Sequence, residues 1–289
     1  MDATQSHLTA SLLPRLLQRQ QSAGRAPLPR GSAGRFGFAF NSMDRPNYTL
    51  MTLASLDTEP GFDLVWVDGS RTQHSQRLVQ QYRFRHTRVV ESHLFVRGGP
   101  DRAIQFGLKR LLALGYDWCG LIENDIVFLP GWFSALKGVI DRATQAGIAV
   151  GAASIRAYVN RVAEFRDGYS IDWATGAGMV VFHREAAQLI VDHYDELEYS
   201  LGAMRDFYRS TLGISLDQLE YYRRDLPLDR PFTMDWGYAP FLYQHHLTTI
   251  GSVPSCAYDL EYEVRRHLST RYAQPADSGA GIRTPLVSP

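Results

Sequence analysis

Cysteine is scarce in this sequence: Cys119 and Cys256 are the only two in 289 residues, and they lie far apart. A disulfide framework is therefore excluded as the basis of the fold. Cys119 sits in an apolar run that reads as a core strand, where a reduced thiol behaves as a small hydrophobe. Excess charge is also missing. Thirty basic residues balance thirty acidic ones, so no global field draws the chain to nucleic acid. No apolar run approaches the roughly 20 residues that cross a bilayer. The start lacks the continuous apolar stretch of a secretory signal, so the expectation is a cytoplasmic protein. There is no Walker A sequence and no serine in a nucleophile elbow. Gly176-Ala177-Gly178 lacks the third glycine of the dinucleotide fingerprint and leads into a strand rather than a helix. No internal repeat is present.

What is there is a globular composition, 45% apolar and 12% aromatic. The length suffices for one large domain or two closely joined ones. Strand and helix signals alternate from residue 35. Arg35 to Phe40 carries aromatics at period two, as a strand does. A helix is expected over 48–56, a strand over 63–67, a helix near 74–83 and a strand over 87–92. Pro100 opens a helix that Gly115 ends. A strand over 118–122, a helix over 131–145 and a strand over 148–154 follow. This alternation predicts an α/β fold with a mainly parallel sheet and helices on both faces.

The second half is less regular. A strand with a glycine-rich start is expected at 175–182, one long helix from Arg184 to Tyr208, a helix over 235–246 and a strand over 248–258. Residues 213–231 read as a polar and aromatic insertion. Residues 1–34 read as a basic extension: Asp2 is the lone acid beside Arg15, Arg19, Arg25 and Arg30. Leucines at 8, 12, 13, 16 and 17 fall near helical spacing, so this segment either stays solvated or makes a peripheral contact with an anionic membrane face. The folded body is expected over 35–272, divided into halves at 35–155 and 156–272, with a disordered tail over 273–289.

Chemistry concentrates at Glu123-Asn124-Asp125. An apolar strand ends there in two carboxylates, and buried charges need a partner or a metal. Ligands sit at the C-terminal ends of strands in open α/β sheets. Two acids two residues apart on an extended backbone point to one side, where they can hold a hard divalent cation. The alternative is an exposed turn.

Four stretches in order resemble the GT-A glycosyltransferases, the inverting family-2-like enzymes above all. They are Phe38-Ala39-Phe40-Asn41-Ser42-Met43-Asp44-Arg45-Pro46; Val65-Trp66-Val67-Asp68-Gly69-Ser70; Gly98-Gly99 through Arg102 and Gly107, followed by Glu123-Asn124-Asp125; and Thr175-Gly176-Ala177-Gly178-Met179 with Met234-Asp235-Trp236. The resemblance spans about Phe36 to Asp259. It implies a GT-A, Rossmann-like sheet that binds a nucleotide-sugar donor, a UDP-sugar by analogy, and hands the sugar to a glycan, lipid-linked or small-molecule hydroxyl.

It also implies residue roles. Phe40, Asn41, Arg45, Asp68 and Asn124 would line the donor site, and Arg102 would meet its diphosphate. Glu123, Asp125 and Asp259 would hold Mn²⁺ or Mg²⁺. Asp235 would be the general base, with Asp172 as its rival. Trp173, Gly176 and Trp236 would form the acceptor side. Departures are plain: Val67 replaces one acid of the Asp-Asp-Gly-Ser pattern, Met234 replaces the acid before the base, and Asp259 stands near where a histidine ligand is usual. His267 reads as surface. Three other readings stay open: a retaining enzyme of the same fold, a sugar nucleotidyltransferase, and a non-catalytic binding module. The second is disfavoured because no glycine-rich phosphate loop with Arg and Lys follows the first strand.

Overall fold

The computed structural model describes residues 12–24, 31–71, 73, 77–78, 81–156, 161–176, 178–215, 227–229 and 234–260, with Met234 and Asp235 described by backbone alone. The helix expected near 74–83, the insertion over 213–231, His267 and the tail over 273–289 fall largely or wholly outside them.

One mixed sheet of nine strands organises the molecule. The strands are β1 (Phe36–Ser42), β2 (Phe62–Asp68), β3 (Arg88–His93), β4 (Trp118–Glu123), β6 (Val150–Ser154), β7 (Val162–Arg166), β8 (Tyr169–Asp172), β9 (Met179–His183) and β10 (Thr248–Ser252). Their order is β3-β2-β1-β4-β9-β6-β10-β8-β7. Strands β1 to β4 pair in parallel, as do β6 and β10. Only β8 and β9 run against the rest. A two-stranded sheet joins β5 (Ile126–Phe128) to β11 (Ala257–Asp259). Among the described residues the α-helices are α1 (Leu12–Ser22), α2 (Pro46–Leu56), α3 (Gly99–Ala113), α4 (Trp132–Gln145), α5 (Arg184–Asp192), α6 (Leu201–Leu212) and α7 (Met234–Gln244).

The first strand shows how sequence sets the layers. Its aromatics, Phe36, Phe38 and Phe40, lie on one face and enter the larger core cluster with Trp66 and Trp132. Its small residues, Gly37 and Ala39, lie on the other. There α3 approaches so closely that a Cβ on Gly107 would collide with that of Ala39, and a Cβ on Gly37 with the Tyr116 ring. Large residues on one face and small ones on the other thus fix which helix packs tightly.

Three expectations are corrected. The single helix over 184–208 is two helices. The Ser200 hydroxyl accepts the Ala203 amide as an N-cap and starts α6 afresh. The break leaves Leu197 fully buried, with its carbonyl tight against Gly237. The strand over 248–258 stops at Ser252, because Pro254 has no N–H to continue a ladder. The chain then turns back as β11 onto another sheet. Finally, a hairpin, β7–β8, stands where no strand pair was expected.

The basic N-terminal segment is not a solvated extension where it is described. Leu12 and Leu16 of α1 are 2% and 3% exposed and belong to the larger core cluster. Pro14 lies in the first turn of α1, where its missing N–H breaks no helical bond. The Leu13 amide donates to the buried Glu164 carboxylate. Arg15 and Arg19 donate to the last carbonyls of α6, at Leu212 and Thr211, and so satisfy a helix C-terminus. Two of the leucines offered as a membrane face are therefore inside the protein. No helix among the described residues is long and apolar enough to cross a membrane.

Candidate functional site

The C-terminal ends of β1, β2, β4 and β6 meet at one edge of the sheet, and most of the predicted site residues lie there. Strand pairing sets Asn41 beside Glu123 and Ser42 beside Asp68. Alternation puts Asn41 and Glu123 on the α3 face and Asp68 on the α2 face. Gly98 and Gly99, with φ of 110° and 81°, carry the chain into α3 at the same edge, and Arg102 is exposed on its first turn.

On the α2 face, the Asp68 carboxylate is completely buried. Its Oδ1 accepts hydrogen bonds from the Ser42 hydroxyl at 2.8 Å and the Ser70 hydroxyl at 2.6 Å. The Trp66 indole in turn donates to Ser42. The Ser70 hydroxyl also accepts the Asp44 amide, so this carboxylate shapes the loop after β1. In that loop Asp44 and Arg45 both adopt left-handed backbone, with φ of 51° and 52°. Non-glycine residues rarely do so, and such conformations gather where a chain presents function. Asn124 is only 9% exposed, and its amide donates to the Asp44 carbonyl and the Thr49 hydroxyl. Asn124 thus ties the turn after β4 to the Asp44–Arg45 loop.

On the α3 face, both polar atoms of the Asn41 amide are buried, and neither meets a partner among the described residues. The second oxygen of Asp68 is in the same position. A buried polar group without a partner costs about 1–3 kcal/mol. In a native structure such a group calls for a ligand, an ion or a water.

Two ion pairs lie at the same edge. Arg45 Nη1 lies 3.5 Å from Asp125 Oδ2, and Arg156 Nη1 lies 3.5 Å from Asp259 Oδ2. The side chains are partly open, Asp125 at 16% and Asp259 at 27% exposed. The β5–β11 ladder joins them: Asp259 pairs with Ile126, and the Leu260 amide donates to the Asp125 carbonyl. The Cys256 amide donates to the Ile155 carbonyl, which seats this return strand beside Arg156. Glu123 comes from the sheet below, beside Gly178.

The donor chemistry of Glu123, Asp125 and Asp259 suits Mn²⁺ or Mg²⁺. Their arrangement does not: among the described residues, no three His, Cys, Asp or Glu side chains are grouped to hold a metal ion. Asp125 and Asp259 are turned to guanidinium groups instead.

Several predicted roles are corrected. Phe40 is fully buried and packs edge-on against Trp66 at 5.3 Å, so it is core and lines no pocket. Trp173 is likewise fully buried, against Tyr208 and Trp236, and offers no platform to an acceptor. Gly176 is buried too, and Trp236 is 8% exposed beneath the Arg161 guanidinium. Asp172 is 2% exposed, and burial pushes its carboxyl up to about 8 against the opposing pull of the Ser170 hydroxyl and the Arg161 charge. A carboxyl held mostly protonated near neutrality and shut off from solvent is no general base for a bound substrate. Asp235 opens α7 next to Trp236; its side chain lies outside the described residues. Sequence reasoning missed Arg156 and Arg161. Arg156 follows the end of β6 by two residues, so the rule that ligands gather at strand C-termini could have found it.

No family model matches this chain, and no curated protein does. The solved structures that are similar, at low scores, include the following three glycosyltransferase-type proteins. The mannosyltransferase PcManGT from Pyrobaculum calidifontis, in complex with GDP-Man and Mn²⁺, matches 64% of this chain and 57% of its own length at 16% identity, with a TM-score of 0.40. TarS of S. aureus matches 55% of this chain and 29% of its own at 16% identity, with a TM-score of 0.41. The apo-form glycosyltransferase GlyE of Streptococcus pneumoniae TIGR4 matches 75% and 45% at 10% identity, with a TM-score of 0.36. The chain thus spans between 29% and 57% of the structures that it matches.

Proposed function

We propose that the C-terminal sheet edge binds a nucleotide-sugar donor, a UDP-sugar as first choice, and that the protein is a GT-A-type hexosyltransferase passing the sugar to a glycan, lipid-linked or small-molecule hydroxyl. One observation carries the proposal: two arginine–carboxylate pairs and the unmet Asn41 amide all lie at the edge where parallel strands end. An unmet buried amide and guanidinium groups at one sheet edge suit a polar, anionic ligand.

In this reading Asn41 hydrogen-bonds the nucleotide, while Asp68 and Asn124 hold the Asp44–Arg45 loop that closes on it. Arg45, Arg156 and the exposed Arg102 face the diphosphate. Charge builds on that leaving group as the glycosidic bond breaks, and preorganised cations there stabilise the transition state. Asp235, at the start of α7, is proposed to take the proton of the acceptor hydroxyl, in a single displacement with inversion. In this arginine-only reading the guanidinium groups neutralise the diphosphate, and their 3.5 Å contacts with Asp125 and Asp259 leave those carboxylates turned away from a metal.

Calorimetric titration with UDP, GDP, dTDP and CMP, with and without Mn²⁺, on wild type and Asp125→Ala tests the proposal. One nucleotide is expected to bind. If Mn²⁺ tightens it and Asp125→Ala abolishes that gain, the carboxylates turn from the arginines to a metal. Binding that ignores both Mn²⁺ and Asp125 supports the arginine-only reading. If no nucleotide binds, the transferase proposal falls.

A further inference from the structure

The acceptor-side motifs, Asp172-Trp173, Thr175 to Met179 and Met234-Asp235-Trp236, are scattered over more than sixty residues of sequence. One residue touches all three. The Arg161 guanidinium lies over the Trp236 ring, 4.3 Å from its centroid. Its Nη1 donates a 2.6 Å hydrogen bond to the Thr175 carbonyl. Its own carbonyl accepts the Trp173 amide at 2.9 Å. Trp236 also packs on Trp173, with ring centroids 5.4 Å apart. The wall behind is rigid: Tyr208 donates to the Trp173 carbonyl, and Tyr243 and Thr249 both donate to the Asp172 carbonyl.

We infer that Arg161 is the positioning residue of this side of the site. It clamps Trp236 at the head of α7 against the loop through Thr175, and so fixes where the neighbouring Asp235 stands relative to the sheet edge. Both contacts use the flat guanidinium. One face stacks on the indole while an in-plane N–H reaches the carbonyl. A lysine ammonium carries the same charge but cannot fill both places at once. The assignment of a catalytic proton acceptor to Asp235 rests on the glycosyl-transfer reading; the clamp itself does not.

Hydrogen exchange separates the two on the full chain. In Arg161→Met, amides of 173–176 and 236–239 are expected to exchange about 10- to 100-fold faster, the loss of one stacked cation and one charge-assisted hydrogen bond, while β1 and β2 keep wild-type protection. Arg161→Lys is expected to behave like Arg161→Met. With the nucleotide that binds the wild type, both variants are expected to keep their affinity for it, and transfer is expected to fall with little change in donor KM. Wild-type exchange in both variants, or full rescue by lysine, overturns the clamp. Faster exchange throughout the sheet also overturns it, since Arg161 then serves folding at large. Faster local exchange in a protein that binds no nucleotide leaves the clamp standing and removes only the transferase reading.

Discussion

Asp172 shows how a residue's role depends on its surroundings. Next to Trp173 and ahead of a glycine-rich loop, it reads as a candidate base, yet it is buried beneath Tyr243 and Thr249, and its carboxyl titrates near 8. The sign of the pH effect follows. Between about 3.9, the unfolded value, and about 8, the folded protein holds one more proton than the unfolded chain. Stability from this group therefore falls as pH rises, by about 1.4 kcal/mol per pH unit at most. Asp172→Asn is neutral at every pH. Its stability relative to wild type is expected to climb steadily between pH 5 and 8 and then level off, as urea denaturation at each pH would measure. A gap that stays constant across that window would show that Asp172 is ionised in the folded protein. Phe40 and Trp173 make a related point without titrating: aromatic rings suit a ligand platform and a core equally well, and burial decides between them.

At the scale of elements, α1 is the instructive case. Its leucine spacing and its arginines, Arg15 and Arg19 within it and Arg25 and Arg30 after it, read alike for a membrane-surface helix and for a helix docked on protein. What docks it is distant in sequence: Glu164 in β7, the last carbonyls of α6, and Thr248, whose hydroxyl accepts from Gln20. Leu16→Ala is accordingly expected to lower unfolding stability by about 2–5 kcal/mol, the usual range for a buried leucine truncation. A change within about 0.5 kcal/mol, as surface positions give, would mean that the helix stands free in solution. The pair α3 and β1 behaves otherwise. There the small residues Gly37, Ala39 and Gly107 announce a close helix–strand contact, and the structure has it.

For the whole molecule, the decisive connection is the short β5–β11 ladder. It closes a loop of well over a hundred residues and brings Asp259 and Arg156 over the end of β4. Ending the chain after Cys256 removes β11 and Asp259 while leaving the nine-stranded sheet intact. The truncated protein is expected to unfold cooperatively and to bind the nucleotide at least about tenfold more weakly, because the site loses the Asp259 carboxylate and one wall. Unchanged affinity in calorimetry would place the ligand away from this edge.

The sequence alone determined the strand–helix alternation through residue 154 wherever the structure describes it, the ending of a strand in Glu123-Asn124-Asp125, and the pairing of large and small residues that sets the layers. These depend on local periodicity, capping and side-chain size, which a few neighbouring residues carry. Only the tertiary structure decided that Phe40, Trp173 and Asp172 are interior, that α1 belongs to the body, that β9 reverses between β4 and β6, and that Asp125, Asp259, Arg45 and Arg156 share one edge. Each of these rests on contacts between residues far apart in the chain. Burial and charge pairing there come from packing, which no local pattern encodes.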